Sequence, residues 1–92
     1  MTLSMKEASE RVDVAIKVLL DECNEHKART ISSEISKTFR ESDARIADVV
    51  LALVSQLAAL TIGDSEDEML VFTMMVSRLL TKAVTASHQT MH

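Results

Sequence analysis

Residues 46–62, IADVVLALVSQLAALTI, constrain the fold more than any other part of the chain. It holds one carboxylate (Asp48), one amide (Gln56) and no cation; almost everything else is Val, Leu, Ile or Ala. At about 100° per residue, Ile46, Val50, Leu53, Leu57 and Leu60 share one face, the spacing of an amphipathic helix. Leu51, Val54, Ala58 and Ile62 make a second apolar strip beside it, and Ala52, Ser55 and Ala59 form a third side of small residues. A helix apolar over most of its circumference has to be surrounded by protein. The stretch therefore predicts a helical fold with more apolar surface than a small monomer can easily cover.

The rest of the composition agrees. A chain of 92 residues is expected to form a single domain, at the small end of what folds alone. No Pro, one Gly, no Tyr or Trp and two Phe leave little material for hairpins, while Ala, Leu, Met, Glu and Lys favour helix. The expected fold class is all-α, a small bundle of three to four helices completed as a homodimer.

Charge narrows the function classes. A net charge of −4 argues against a nucleic-acid partner, whose binder usually carries a basic footprint. The single Cys23 rules out an intramolecular disulfide and suits a reducing compartment. Residues 1–10 contain Lys6, Glu7 and Glu10 rather than an apolar core, so no signal peptide is expected. Residues 46–62 are short for a membrane span and interrupted by Asp48. The expectation is a soluble cytoplasmic protein with no membrane association. Residues 1–48 hold eight basic and ten acidic side chains, and residues 49–92 only two and four. Solvent-facing helix is thus expected in the first half, core and interface in the second.

Outward from the central stretch, helix boundaries follow from caps. Ser4 and Glu7 fit a capping box with Leu3 as a staple, opening a helix whose stripe is Met5, Ala8, Val12, Ala15, Ile16, Leu19, Leu20 and Cys23. Val14 and Val18 fall on its polar side. This helix is expected to fray at residues 26–29, where Lys27 and Arg29 suit a C-terminal dipole end. Thr30 or Ser32 is a candidate cap for the next, carrying Ile31, Ile35 and Phe39. Ser42 and Asp43 can then cap a further helix, but from Ile35 to Leu60 the apolar spacing runs on at about 3.5 residues, so one continuous helix is an alternative. Such a helix of residues 30–62 would be roughly 50 Å long, against a radius of gyration of about 12 Å for a compact domain of this size. A break at residues 40–43 is therefore preferred. Gly63 marks the next stop, Ser65 and Glu68 fit a second capping box, and a last helix spans residues 66–86. Its expected core stripe is Met69, Phe72, Val76, Leu79, Leu80 and Ala83, with Arg78, Lys82 and Thr85 outward and residues 87–92 loose.

Few constellations suggest chemistry. Cys23 and His26 lie one turn apart, but a structural zinc site wants four ligands and no second pair lies nearby. Asp64, Glu66, Asp67 and Glu68 are bunched, unlike the alternating ligands of a calcium loop, and read as carboxylates complementing a helix N-terminus. There is no Gly-rich phosphate loop and no nucleophile with a base in prospect. The expectation is a non-enzymatic protein with no catalytic residue, cofactor, metal or small-molecule substrate. A helix-turn-helix built from residues 31–39, a turn at 40–43 and a helix from Ala44 is the alternative. Its basic side chains are nearly cancelled by Glu25, Glu34, Glu41 and Asp43, and its second helix is too apolar for a groove.

The last helix adds one anomaly. Leu70, Val71, Met74 and Met75 lie off its core stripe, and three of the six Met residues (69, 74 and 75) are here. Met suits adaptable binding surfaces. Two readings are open: the face packs within the monomer, against the first helix or residues 46–62, or it is an interface with a second subunit or partner. Together with Ala52, Ser55 and Ala59, whose size would allow close helix approach, these residues are the candidate interface. The function expected is protein–protein interaction, as a homodimer and with a further protein partner, of the regulator or assembly-chaperone kind.

Overall fold

The computed structural model describes residues 3–90, which form four helices and, among those residues, no strand. They are α1 (Met5–Glu22), α2 (Glu25–Glu41), α3 (Ile46–Ala59) and α4 (Glu66–Thr90). The chain is all-α, as its composition requires.

Each boundary has a local cause. Ser4 Oγ accepts the Glu7 backbone N–H at 3.1 Å and opens α1. The break between α1 and α2 lies earlier than residues 26–29, because Asn24 is itself a cap. Its backbone is extended (φ −103°, ψ 105°), and its side-chain oxygen accepts the Lys27 N–H at 3.0 Å. Asn ranks with Ser and Asp as an N-cap, so Lys27 and Arg29 belong to the start of α2 rather than the end of α1. Thr30, one of the expected caps, instead bonds back to the His26 carbonyl at 2.9 Å within the helix.

The break after Glu41 falls close to residues 40–43, where it was expected, and without glycine or proline. Asp43 adopts a left-handed conformation (φ 55°). The Asp43 N–H donates to the Arg40 carbonyl at 3.4 Å and the Ala44 N–H to the Phe39 carbonyl at 3.2 Å. This is the Schellman arrangement, in which the two residues past the helix end turn back on its last carbonyls. Asp is among the few non-glycine residues that tolerate the left-handed position. Asp48 then accepts the Arg45 N–H at 3.0 Å, so the only carboxylate of the apolar stretch serves the first turn of α3.

α3 ends sooner than Ile62. Leu60, Thr61 and Ile62 donate to carbonyls three residues back, a tightening that leads into Gly63. Gly63 has φ 91° and open space where a Cβ would be, so backbone conformation alone calls for glycine. Ser65 and Glu68 form the full reciprocal capping box of α4, at 3.2 and 3.3 Å. The expected loose tail is a correction: residues 87–90 continue α4, while Met91 and His92 lie outside the described residues.

The chain groups into two compact units, Met1–Asp21 with Gly63–His92, and Glu22–Ile62. In the first, α1 and α4 share a core of Val12 (0% exposed), Ile16 and Met75 (7% exposed), with Val71, Phe72, Met74 and Leu79 packed on it. Ala8 is also buried. Only the middle of the expected α1 stripe is covered; Met5, Leu20 and Cys23 are exposed. The α4 stripe is turned as well. It centres on Met75 and keeps Phe72, Val76 and Leu79, whereas Leu80 is exposed. The rotation brings Arg78, expected to face outward, into an ion pair with Asp13 of α1.

The second unit is different. α2 and α3 contain no buried residue.

Candidate functional site

Because the connection at residues 42–45 is short, α2 returns alongside α3 as a helical hairpin. Ile31, Ile35 and Phe39 of α2 and Leu53 of α3 form its seam, and they floor two open grooves. One groove, about 380 Å³, is rimmed by Thr30, Glu34, Thr38, Ala52 and Gln56. The other, about 590 Å³, is rimmed by Ala28, Ser32, Ser36 and Val49, with no charged or amide side chain. With about 100° per residue, Ser32 and Ser36 lie on one flank of the α2 stripe and Glu34 and Thr38 on the other. The grooves therefore open on opposite flanks of the seam.

Beyond the seam α3 stays apolar. Val50, Leu51 and Val54 are all more than half exposed, Leu51 at 68%, and run round α3 from Leu53 by about 60–160°. On α2, Glu25 and Arg29 pair one turn apart at 3.8 Å, away from both grooves. That pair is fully in solvent and contributes little.

The sequence-predicted interface residues separate into two groups. Val71, Met74 and Met75 belong to the α1–α4 core and its edge, and Leu70 is half-buried. This face supplies the α1 contact, because α1 offers Val12 and Ile16 at matching height. Ala52, Ser55 and Ala59 are exposed in the second unit. Ala52 lines the first groove, and the Ser55 hydroxyl donates to the Leu51 carbonyl at 2.9 Å. The small-residue side is thus adjacent to the apolar surface but is not its centre. The bulky strip of Val50, Leu51 and Val54 is the larger exposed feature; its signal in the sequence is the lack of any charge after Asp48 until Asp64.

Cys23 is exposed, and His26 points into solvent at the start of α2. Among the described residues no three His, Cys, Asp or Glu side chains are gathered to hold a metal ion. Glu66–Gln89 is long and apolar enough to cross a membrane by length and composition. Only a small part of it is buried: Met75, with Val71, Phe72, Met74, Val76 and Leu79 packed beside it, meets Val12 and Ile16 of α1. Compared with known protein families, with curated proteins and with solved structures, the chain matches none.

Proposed function

We propose that this is a non-enzymatic helical module that works by binding protein, first of all itself, as a homodimer. The observation that carries the reading is the contrast between its two units. The α1–α4 pair encloses Val12 and Met75, while the α2–α3 hairpin encloses nothing yet carries the most apolar helix of the chain. An isolated helical hairpin without a buried side chain lacks the apolar burial that offsets its conformational entropy. Monomers rarely leave more than a few hundred Å² of contiguous apolar surface uncovered, and a twofold pair is the commonest way to cover it. α1–α4 is then the scaffold and α2–α3 the binding element. Regulators that sequester another protein and assembly chaperones work with surfaces of this kind.

Light scattering on the purified chain tests the reading. Concentration is followed by refractive index, because a chain without Trp or Tyr absorbs little at 280 nm. The expected mass is twice 10.2 kDa. A mass of one chain at every concentration up to the millimolar range overturns it.

A further inference from the structure

Resting on that reading, we infer that the charge-free groove of the α2–α3 hairpin is where a second copy of the same hairpin seats, making a four-helix assembly around Ile35, Phe39 and Leu53. Three observations select this occupant.

The first is area. The chain exposes 7698 Å², whereas a folded monomer of its mass exposes about 5,300 Å² and two separate globules of half the mass about 6,400 Å². The surplus is about 1,300 to 2,400 Å² over the whole chain, and ten of the eighteen exposed large hydrophobic side chains among the described residues belong to the α2–α3 unit. Doubled for a pair, the surplus falls within the roughly 2,000–5,000 Å² buried by obligate homodimers. A short peptide would leave much of it exposed.

The second is charge. The unit Glu22–Ile62 carries five basic and six acidic side chains, close to neutral, so two copies meet without net repulsion. The other unit carries five basic and eight acidic side chains and disfavours its own copy. A near-neutral hairpin also offers little steering to a strongly charged partner.

The third is the difference between the flanks. Glu34 and Gln56 rim the smaller groove, and burying either without a partner is unfavourable. The rim of the larger groove has only Ala28, Ser32, Ser36 and Val49, and Val50, Val54 and Leu57 follow on round α3 from Leu53 at about 40–100°. Small rim residues let the helices of a second hairpin approach, and the bulky ones supply the contact. Each hairpin gives both floor and cover, the self-complementarity a twofold interface requires.

The test uses the full chain and single charges at exposed positions. Ser32→Glu and Ser36→Glu place a carboxylate on the larger groove's rim at helix positions that tolerate Glu. Thr30→Glu marks the opposite flank, and Leu80→Glu marks the exposed side of α4. Mass is read by light scattering, and helix content by circular dichroism. The expected result is a wild-type dimer, at least tenfold weaker association for both serine variants, and unchanged association for the two controls. A wild-type dimer that survives both serine substitutions overturns this surface and leaves self-association standing. A wild-type monomer overturns both. If a serine variant loses helix content, concentration-dependent amide exchange of the wild type decides instead. Protection of α2 and α3 that rises with concentration supports the surface; protection that rises only in α4 overturns it.

Discussion

Truncating Leu53 to Ala distinguishes a hairpin that stands alone from one completed by a second copy. Leu53 retains 40% exposure on the seam facing α2. The substitution removes three carbons, worth about 0.8 kcal/mol each when fully buried. Within a lone hairpin, with two-fifths of the side chain in water, the loss is about 1.4 kcal/mol. With a second hairpin over the groove, burial is complete and the transfer loss rises to about 2.4 kcal/mol. A cavity then adds to it, bringing the cost into the range of roughly 2–5 kcal/mol typical of buried Leu→Ala. Urea unfolding followed by far-ultraviolet circular dichroism at two protein concentrations reads both the size and its origin, because a dimer's stability depends on concentration and a monomer's does not. A loss above about 2.5 kcal/mol per chain, with a midpoint that rises with concentration, is expected. A loss near 1.4 kcal/mol with a fixed midpoint would mean that the hairpin stands alone, with nothing over the groove.

Two further outcomes follow from helix ends and one from the ion pair between α1 and α4. Asp43→Gly should stabilise the chain by about 1 kcal/mol, since it relieves the left-handed penalty of an L residue, while Asp43→Val should destabilise it by at least as much; paired urea titrations check the opposite signs. Asn24→Ala should cost about 1 kcal/mol through loss of the Lys27 N–H bond, and amide exchange should quicken first at residues 25–28. In a double-mutant cycle of Asp13→Ala and Arg78→Ala, the coupling should stay below about 1 kcal/mol and shrink in 1 M salt, because Asp13 keeps 68% of its side chain exposed.

How much of this was legible in the sequence depends on which physical rule governed each element. The Ser65–Glu68 box and the turn at Gly63 were readable because each rests on residues three or four apart with fixed chemistry. Asn24 was passed over although it is as good a cap as Ser. The basic residues after it matched a helix end equally well, and only the backbone conformation separates the two. The break near Asp43 was readable from the length limit and from Ser42 and Asp43 as candidate caps, but not its form: Asp43 takes the left-handed turn and Arg45 is the cap, and nothing local forbids helix through residues 40–46. The α4 stripe was misplaced for a different reason. Residues 69–76 are apolar on nearly every side, so periodicity does not say which of them meets α1. Met75 was chosen by the partner helix, through Val12 and Ile16. The candidate interface carried the same ambiguity: Val71 and Met75 looked surplus until α1 was packed on them, and the apolar excess remained on α2 and α3. That excess was legible as a quantity, from the charge-free run between Asp48 and Asp64, but not as a place.

A hairpin held by its own copy is best examined by amide hydrogen exchange of the full chain at two protein concentrations a hundredfold apart. Protection in α2 and α3 should rise with concentration, because neither helix has a buried side chain of its own. Amides of α1 and α4 around Val12 and Met75 should change little. Equal and strong protection of α2 and α3 at both concentrations, in a chain of monomer mass, would contradict that pairing.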